Sequence, residues 1–186
     1  MILTGSEIIK QYDEGRIKID PFDEKRVNPN SYNLSLHNEL LIYTPPKRLE
    51  DPFENLFGSY LDVREKPTTA RTTIPEEGYI LNPGTLYLGR TQERAGSSHF
   101  VPVLDGRSST GRLGIFLHCT AGFGDVGFYG FWTLEIVVVH PIKVYPGMEC
   151  CQIRFHSVMG DTDIQYNGKY NNADDIQESR LWKEFQ

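Results

Sequence analysis

Cysteine is scarce in this chain: Cys119, Cys150 and Cys151 are the three among 186 residues. An odd number, with two of them adjacent, makes no disulfide framework, so reduced and buried thiols are expected. A catalytic zinc site is also missing its signature, because no His-x-Glu is followed by Pro-Cys-x-x-Cys. His118 and Cys119 fall side by side on an expected strand and point to opposite faces, as do Cys150 and Cys151, which suits tetrahedral ligation poorly. Long apolar runs are lacking too. Ile136 to Val139 with its neighbours falls far short of the roughly 20 residues that cross a bilayer. The N-terminus shows no basic segment leading into an apolar one. The expectation is a cytoplasmic protein with no membrane partner. Positive charge is in deficit, with Lys and Arg at 19 against 25 Asp and Glu and a formal net charge of -6. That argues against nucleic acid as a partner, since backbone binding needs an extended basic face. Any polyanion must be small, locally held and accompanied by a divalent cation. No fixed-period repeat and no heptad pattern is present.

What remains is a sequence suited to a folded core, with 39% hydrophobic and 24% charged residues. One domain over residues 1–186 is expected, with 160–186 as a C-terminal lid or tail. Thr4-Gly5-Ser6-Glu7 reads as a capping box, Leu3 and Ile8 as the staple across it, and Gly15 as the stop. A helix over about Gly5 to Glu14 follows, its stripe of Ile8, Ile9 and Tyr12 serving packing. Tyr32 to Leu36 alternates as a half-buried strand, and Glu39 to Tyr43 continues the sheet. Pro45 to Thr72 reads as a surface excursion. Short strands then recur at Gly78–Leu81, Leu86–Gln92, His99–Leu104, Ile115–Thr120, Phe131–Val139, Ile142–Tyr145 and Met148–His156. Turn signals separate them, among them Asn82-Pro83-Gly84, Ala95-Gly96-Ser97 and Pro146-Gly147. The pattern predicts an all-β fold, barrel or jelly roll, with an N-terminal helix. The tail is polar and cannot build a core by itself. Even so, Tyr166 and Tyr170 can stack on a flat ring and Lys169 can meet a phosphate, as in a ligand-ordered lid.

The chemistry concentrates between Asp105 and Glu135. Gly106-Arg107-Ser108-Ser109-Thr110-Gly111-Arg112 gathers guanidinium groups, hydroxyls and glycines, a mixture suited to an anion. Ser108 to Leu113 forms either a helical turn holding a phosphate or an ordinary capped turn with solvated arginines. Glu135 lies mid-strand, with Trp132, Leu134, Ile136 and Val138 alternating beside it. Burial would penalise its ionised form and suit a group that takes and returns protons, whereas an edge-strand Glu would simply reach solvent. Asp125 sits in a Gly-rich turn, either stabilising it or accepting a hydrogen bond from a sugar hydroxyl.

Gly106-Arg107-Ser108-Ser109-x-Gly-Arg112-Leu113-Gly114, His118-x-Thr120-Ala121-Gly122-Phe123-x-Asp125-x-Gly127-Phe128-x-Gly130 and Thr133-Leu134-Glu135 resemble, in order, the motifs of dCTP deaminases of the dUTPase-like superfamily. Gly15-Arg16-Ile17, Ile19-Asp20-Pro21-Phe22-Asp23, Pro146-Gly147-Met148 and Lys169-Tyr170 extend the resemblance over nearly the whole chain. It implies a homotrimer of distorted jelly-roll subunits that share active sites and bind a nucleotide triphosphate carrying Mg2+, without zinc. It implies that Glu135 is the catalytic acid/base for a water attacking C4 of cytosine. Ser108, Arg112 from a neighbouring subunit and the backbone near Ala121 then hold that water. Arg107, Ser108 and Ser109, with Thr110 and Gly111 in the same loop, hold the triphosphate. Asp125 accepts the 3′-hydroxyl, Thr133 and Leu134 contact base or sugar through the backbone, and Tyr166 and Lys169 close over the nucleotide.

Members of this family either release dUTP or go on to dUMP and diphosphate. Thr120-Ala121-Gly122-Phe123, and Gln152 after Pro146-Gly147-Met148, resemble the dUMP-forming branch, so that product is expected. A dUTPase or a non-catalytic nucleotide-binding relative are the alternatives. Relatives also make dTTP a candidate feedback inhibitor. The chain departs from the family pattern at Gly124 and Val126 around the Asp, at Ala173 where a Gln touches the nucleotide, and at Asn33 and Ser35.

Overall fold

A computed structural model describes residues 1–45, 59–117 and 121–186. Part of the expected surface excursion, residues 46–58, lies outside them, as do His118, Cys119 and Thr120. The N-terminal helix α1 covers Gly5–Asp13, with Thr4 at its N-cap accepting from the Glu7 N–H. Gly15 ends it in the left-handed region, φ +72°, where a side chain would be strained. Ile8 is fully buried, while Ile9 and Tyr12 are half-buried. Tyr12 stacks on Phe22 with ring centroids 4.0 Å apart, and Phe22 on Tyr32 at 5.3 Å.

The strands in chain order are β1 (Ile17–Asp20), β2 (Tyr32–Ser35), β3 (Glu39–Tyr43), β4 (Thr69–Thr73), β5 (Tyr79–Leu81), β6 (Tyr87–Ser97), β7 (Phe100–Gly106), β8 (Ile115–Leu117), β9 (Tyr129–Val138), β10 (Ile142–Val144) and β11 (Glu149–Ser157). A short helix α2, Ser108–Arg112, follows β7. One sheet runs β4-β3-β6-β9-β8, with β1 also paired to β6; another runs β2-β11-β7; and β5 pairs β10. The all-β expectation is met, although among the described residues these sheets do not close into one barrel. Leu34, Leu104, Leu134, Ile136, Ile153 and Phe155 fill the shared interior. Among the described residues no helix is long and apolar enough to cross a membrane.

Two local expectations are corrected. Ala95-Gly96-Ser97 is not a turn: β6 continues through Ser97, pairing Ala95 with Ile19 and Ser97 with Ile17. Gly96 is required because a Cβ there would stand 1.8 Å from Phe128 O, so the glycine marks a close backbone approach. Strand β2 is buried on both faces rather than one. Its polar residues are satisfied internally: Asn33 Nδ2 donates to Glu149 Oε2 at 2.9 Å, and the Ser35 N–H to Glu93 Oε2 at 2.8 Å. Buried Glu93 is paired in turn with Arg26, which removes the cost of an unpaired interior charge.

The tail contains no strand, only a 3₁₀ turn at Leu181–Phe185, yet it is docked. The Phe131 N–H donates to Ala173 O at 2.9 Å and the Tyr166 N–H to Val126 O at 2.8 Å. Ala173 and Ile176 are buried, at 6% and 5% exposure. Gly130 makes this possible, since a Cβ there would meet the Ala173 backbone N at 2.8 Å.

Candidate active site

Strand β9 sets the site by simple alternation. Trp132, Leu134, Ile136 and Val138 enter the core, which turns Phe131, Thr133 and Glu135 to the opposite face. There they line a cavity of about 540 Å3, which the buried Trp132 also borders. Tyr43 from β3 and Leu88 from β6 contribute side walls, the turn at Ala121 and Asp125 a rim, and the tail, from Tyr166 to Ser179, the last wall. The structure thus brings together Ala121, Asp125, Thr133, Glu135 and Tyr166. Glu135 is half-buried and stands opposite Leu88 in the register. Leu134 points into the core and, unlike its neighbours Thr133 and Glu135, does not line the cavity.

The Asp125 turn is shaped by its glycines. At Gly124 a Cβ would lie 2.6 Å from the Trp132 ring, so a side chain there would displace that ring. Val126 gives its carbonyl to Tyr166. Tyr166 is further placed by its ring beside Phe128, centroids 6.1 Å apart.

The anion-type loop opens into a second concavity of about 530 Å3, with Gly106, Arg107, Ser108 and Gly111 on one side and Phe116 and Phe123 on the other. Phe123 borders both concavities. Ser108, Ser109, Gly111 and Arg112 are exposed, whereas Thr110 is buried. Thr110 Oγ1 lies 3.2 Å from Arg107 N, 2.8 Å from Arg107 O and 3.2 Å from Cys150 O, so its hydroxyl pins the loop to β11 rather than facing a ligand. Arg107 Nη1 donates to Glu149 O at 2.8 Å and lies 3.1 Å from Glu149 Oε2.

Two expected site residues stand apart. Gln152 Nε2 donates to Gly106 O at 3.1 Å and its Oε1 accepts from Ser31 Oγ at 2.8 Å. It lines a separate pocket with Asp105 and Arg154, because its strand places it behind the loop. Lys169 is paired with Glu184 and does not line the Glu135 cavity. Conversely, Tyr43 and Phe131 were missed. Phe131 shares the two-residue period with Thr133 and Glu135 and was within reach of the sequence; Tyr43 had no such signal. Burial pushes the Tyr43 phenol up from its ordinary pKa, against a hydrogen bond from the Ser179 N–H at 3.1 Å, and the nearby acids Glu178 and Glu135 push the same way. The cavity therefore holds a protonated phenol at neutral pH.

Cys150 and Cys151 are buried free thiols. The hydrogen bond with Cys150, followed by burial, raises the Cys151 pKa well above the ordinary thiol range. Among the described residues no three His, Cys, Asp or Glu side chains come together to hold a metal ion.

Antiparallel strands around a shared apolar interior define an all-β class of protein. The crystal structure of 2′-deoxycytidine 5′-triphosphate deaminase from Agrobacterium tumefaciens has this fold, matching 84% of this chain with a TM-score of 0.61 at 22% identity. This chain spans 48% of that one. Sequence narrows the class. A family model described as dCTP deaminase-like matches residues 2–158. The chain is 54% identical over 186 residues to the dUMP-forming dCTP deaminase of Clostridium beijerinckii, covering 100% of this chain and 99% of that protein. It is also 54% identical over 187 residues to the enzyme of that name from Leptospira biflexa, with the same coverage. The chain belongs to the dCTP deaminase-like family.

Proposed function

We propose that this chain deaminates dCTP at C4 of cytosine and hydrolyses the triphosphate, giving dUMP, diphosphate and ammonia from dCTP and two waters. The observation that carries the reading is Glu135, set in a cavity with Asp125, Thr133 and Tyr166, in a chain 54% identical end to end to a dUMP-forming dCTP deaminase. Glu135 takes a proton from water as its oxygen bonds to C4. It delivers that proton to N3, then takes the proton of the new C4 hydroxyl and passes it to the amino group, and the C4–N bond breaks with release of ammonia as the C4 carbonyl forms. A half-buried carboxylate beside apolar rings suits this cycling, because little reorganisation of solvent accompanies each transfer. A second water then displaces diphosphate from the α-phosphorus.

Asp125 accepts the 3′-hydroxyl, the Thr133 and Leu134 backbone meets base and sugar, and Tyr166 covers the nucleotide. Ser108, Ser109, Gly111 and Arg112, with Arg107 at the head of the loop, take the triphosphate. In one chain this loop and Glu135 face different concavities, which supports a homotrimer in which Arg112 and Ser108 reach the neighbour's Glu135. Exposed apolar residues at Leu113, Phe116, Phe123 and Val139 support the same assembly, since a subunit surface of this kind suits burial against another. Mg2+ enters on the triphosphate and offsets its charge. A hard cation takes several oxygen ligands, which the phosphates would supply. The setting is the cytoplasm, with dTTP as a candidate feedback inhibitor and no nucleic acid or membrane partner.

Incubation with dCTP and Mg2+, followed by product separation, tests the reading. Equal amounts of dUMP, diphosphate and ammonia are expected. Accumulating dUTP would place the chain in the one-step branch, and absence of ammonia would remove deamination.

A further inference from the structure

One wall of the Glu135 cavity is made by the tail, through Ala173, Gln177, Glu178 and Ser179. Backbone bonds fix it at both ends: Phe131 N–H to Ala173 O at 2.9 Å, and Gln177 N–H to Thr133 Oγ1 at 2.9 Å. Between them the apolar grip is small, with Ile176 packed against Leu41 and Leu88. Asp175 supplies the remainder. Arg71 Nη2 meets its Oδ2 at 2.6 Å and Nη1 its Oδ1 at 3.4 Å, while Arg90 Nε lies 3.8 Å from Oδ1. Asp175 also accepts from the Ile176 N–H at 2.7 Å, which turns the chain inward at that point.

Arg90 is itself tightly placed. Its side chain is 12% exposed, its guanidinium lies 4.0 Å from the centroid of Phe131, and its Nη2 lies 2.8 Å from His37 Nε2. Phe131 in turn lines the cavity. A planar cation held on one face by an aromatic ring and at its edge by a neutral imidazole has little freedom to move, so it gives Asp175 a fixed target. Asp175 therefore lies two residues from Gln177, whose N–H meets Thr133, and Thr133 is two residues from Glu135 along the strand.

We infer that Asp175, clasped by Arg71 and Arg90, is a positioning residue for the nucleotide: it holds the tail wall in register with Thr133 and so sets the size of the cavity in front of Glu135. The inference rests on reading this cavity as the dCTP site. Amide hydrogen exchange in the free protein separates the two ideas, since it requires no nucleotide.

The experiment compares wild type, Asp175→Asn and Asp175→Glu. Exchange at the Gln177 and Phe131 amides should rise roughly five- to tenfold in Asp175→Asn, with KM for dCTP rising similarly and kcat held within about twofold. Asp175→Glu should keep most of the wild-type behaviour. In the nucleotide-free protein, salt at about 0.5 M should raise wild-type exchange at these amides toward that of Asp175→Asn and leave the variant's exchange little changed, because screening removes the same attraction. Unchanged exchange in Asp175→Asn overturns the clasp. Faster exchange with an unchanged KM overturns its role in positioning substrate, and a fall in kcat at constant KM does the same.

Discussion

At the scale of single residues the account turns on Glu135 and on hydroxyl or amide groups that resemble ligands but act as struts. Replacing Glu135 by Gln keeps the volume and the strand register while removing proton transfer. Ammonia release from dCTP should fall by at least about a thousandfold, and calorimetric affinity for dCTP should change only a few-fold. Retained turnover would mean another group is the base. Sequence singled out Glu135 as one acid among alternating apolar residues, but left it either a proton-transfer group or an edge-strand Glu; the family resemblance supplied the role. Thr110 and Gln152 were not legible in the same way. In a loop crowded with donors nothing local says which hydroxyl turns inward, and only the nearness of Cys150 O and Gly106 O decides it.

Among elements, strands with an apolar signal were readable, the short β5, β8 and β10 included, and a polar edge strand was not. Strand β9 keeps its two-residue burial period through Val138. Strand β4, Thr-Ala-Arg-Thr-Thr, is mostly exposed and therefore carries no apolar signal. The end of β6 was misread because small residues that usually mark turns here mark close backbone approach. The tail's docking depends on Gly130 and on the charged clasp, both remote in sequence. That clasp makes the pH response of this element predictable. Burial, then Arg90, lowers the pKa of His37 against the opposing pull of Glu39 and Asp175, with Arg71 adding to the lowering. The unfolded chain thus takes up its proton first, near the ordinary histidine value of about 6.5. The stability His37 contributes is present above that pH and is lost as pH falls through the lower folded-state value. Asp175, lowered chiefly by its hydrogen bond from Arg71, stays ionised through this window. Thermal midpoints of wild type and His37→Gln should accordingly be compared from about pH 7.5 to 5. The wild type should lose more on acidification than the variant; parallel curves would count against the assignment.

For the whole molecule the telling feature is a division. The loop bearing Ser108 and Arg112 and the strand bearing Glu135 lie on either side of Phe123 in one chain. Sequence placed both motifs within one short stretch, and only the family resemblance implied that Arg112 comes from a neighbouring subunit: proximity along the chain says nothing about which concavity a loop faces. If neighbouring subunits complete each other's sites, damage to the two halves can be complementary. Glu135→Gln and Arg112→Ala chains, each inactive alone, should regain dCTP deamination when coexpressed with different tags and purified as mixed oligomers. In a mixed trimer, whichever chain is in the majority, about a third of the sites have both groups intact, so ammonia release at about that fraction of the wild-type rate is the predicted result. Mixed oligomers as inactive as either parent would contradict a catalytic centre built from Glu135 of one subunit and Arg112 of another.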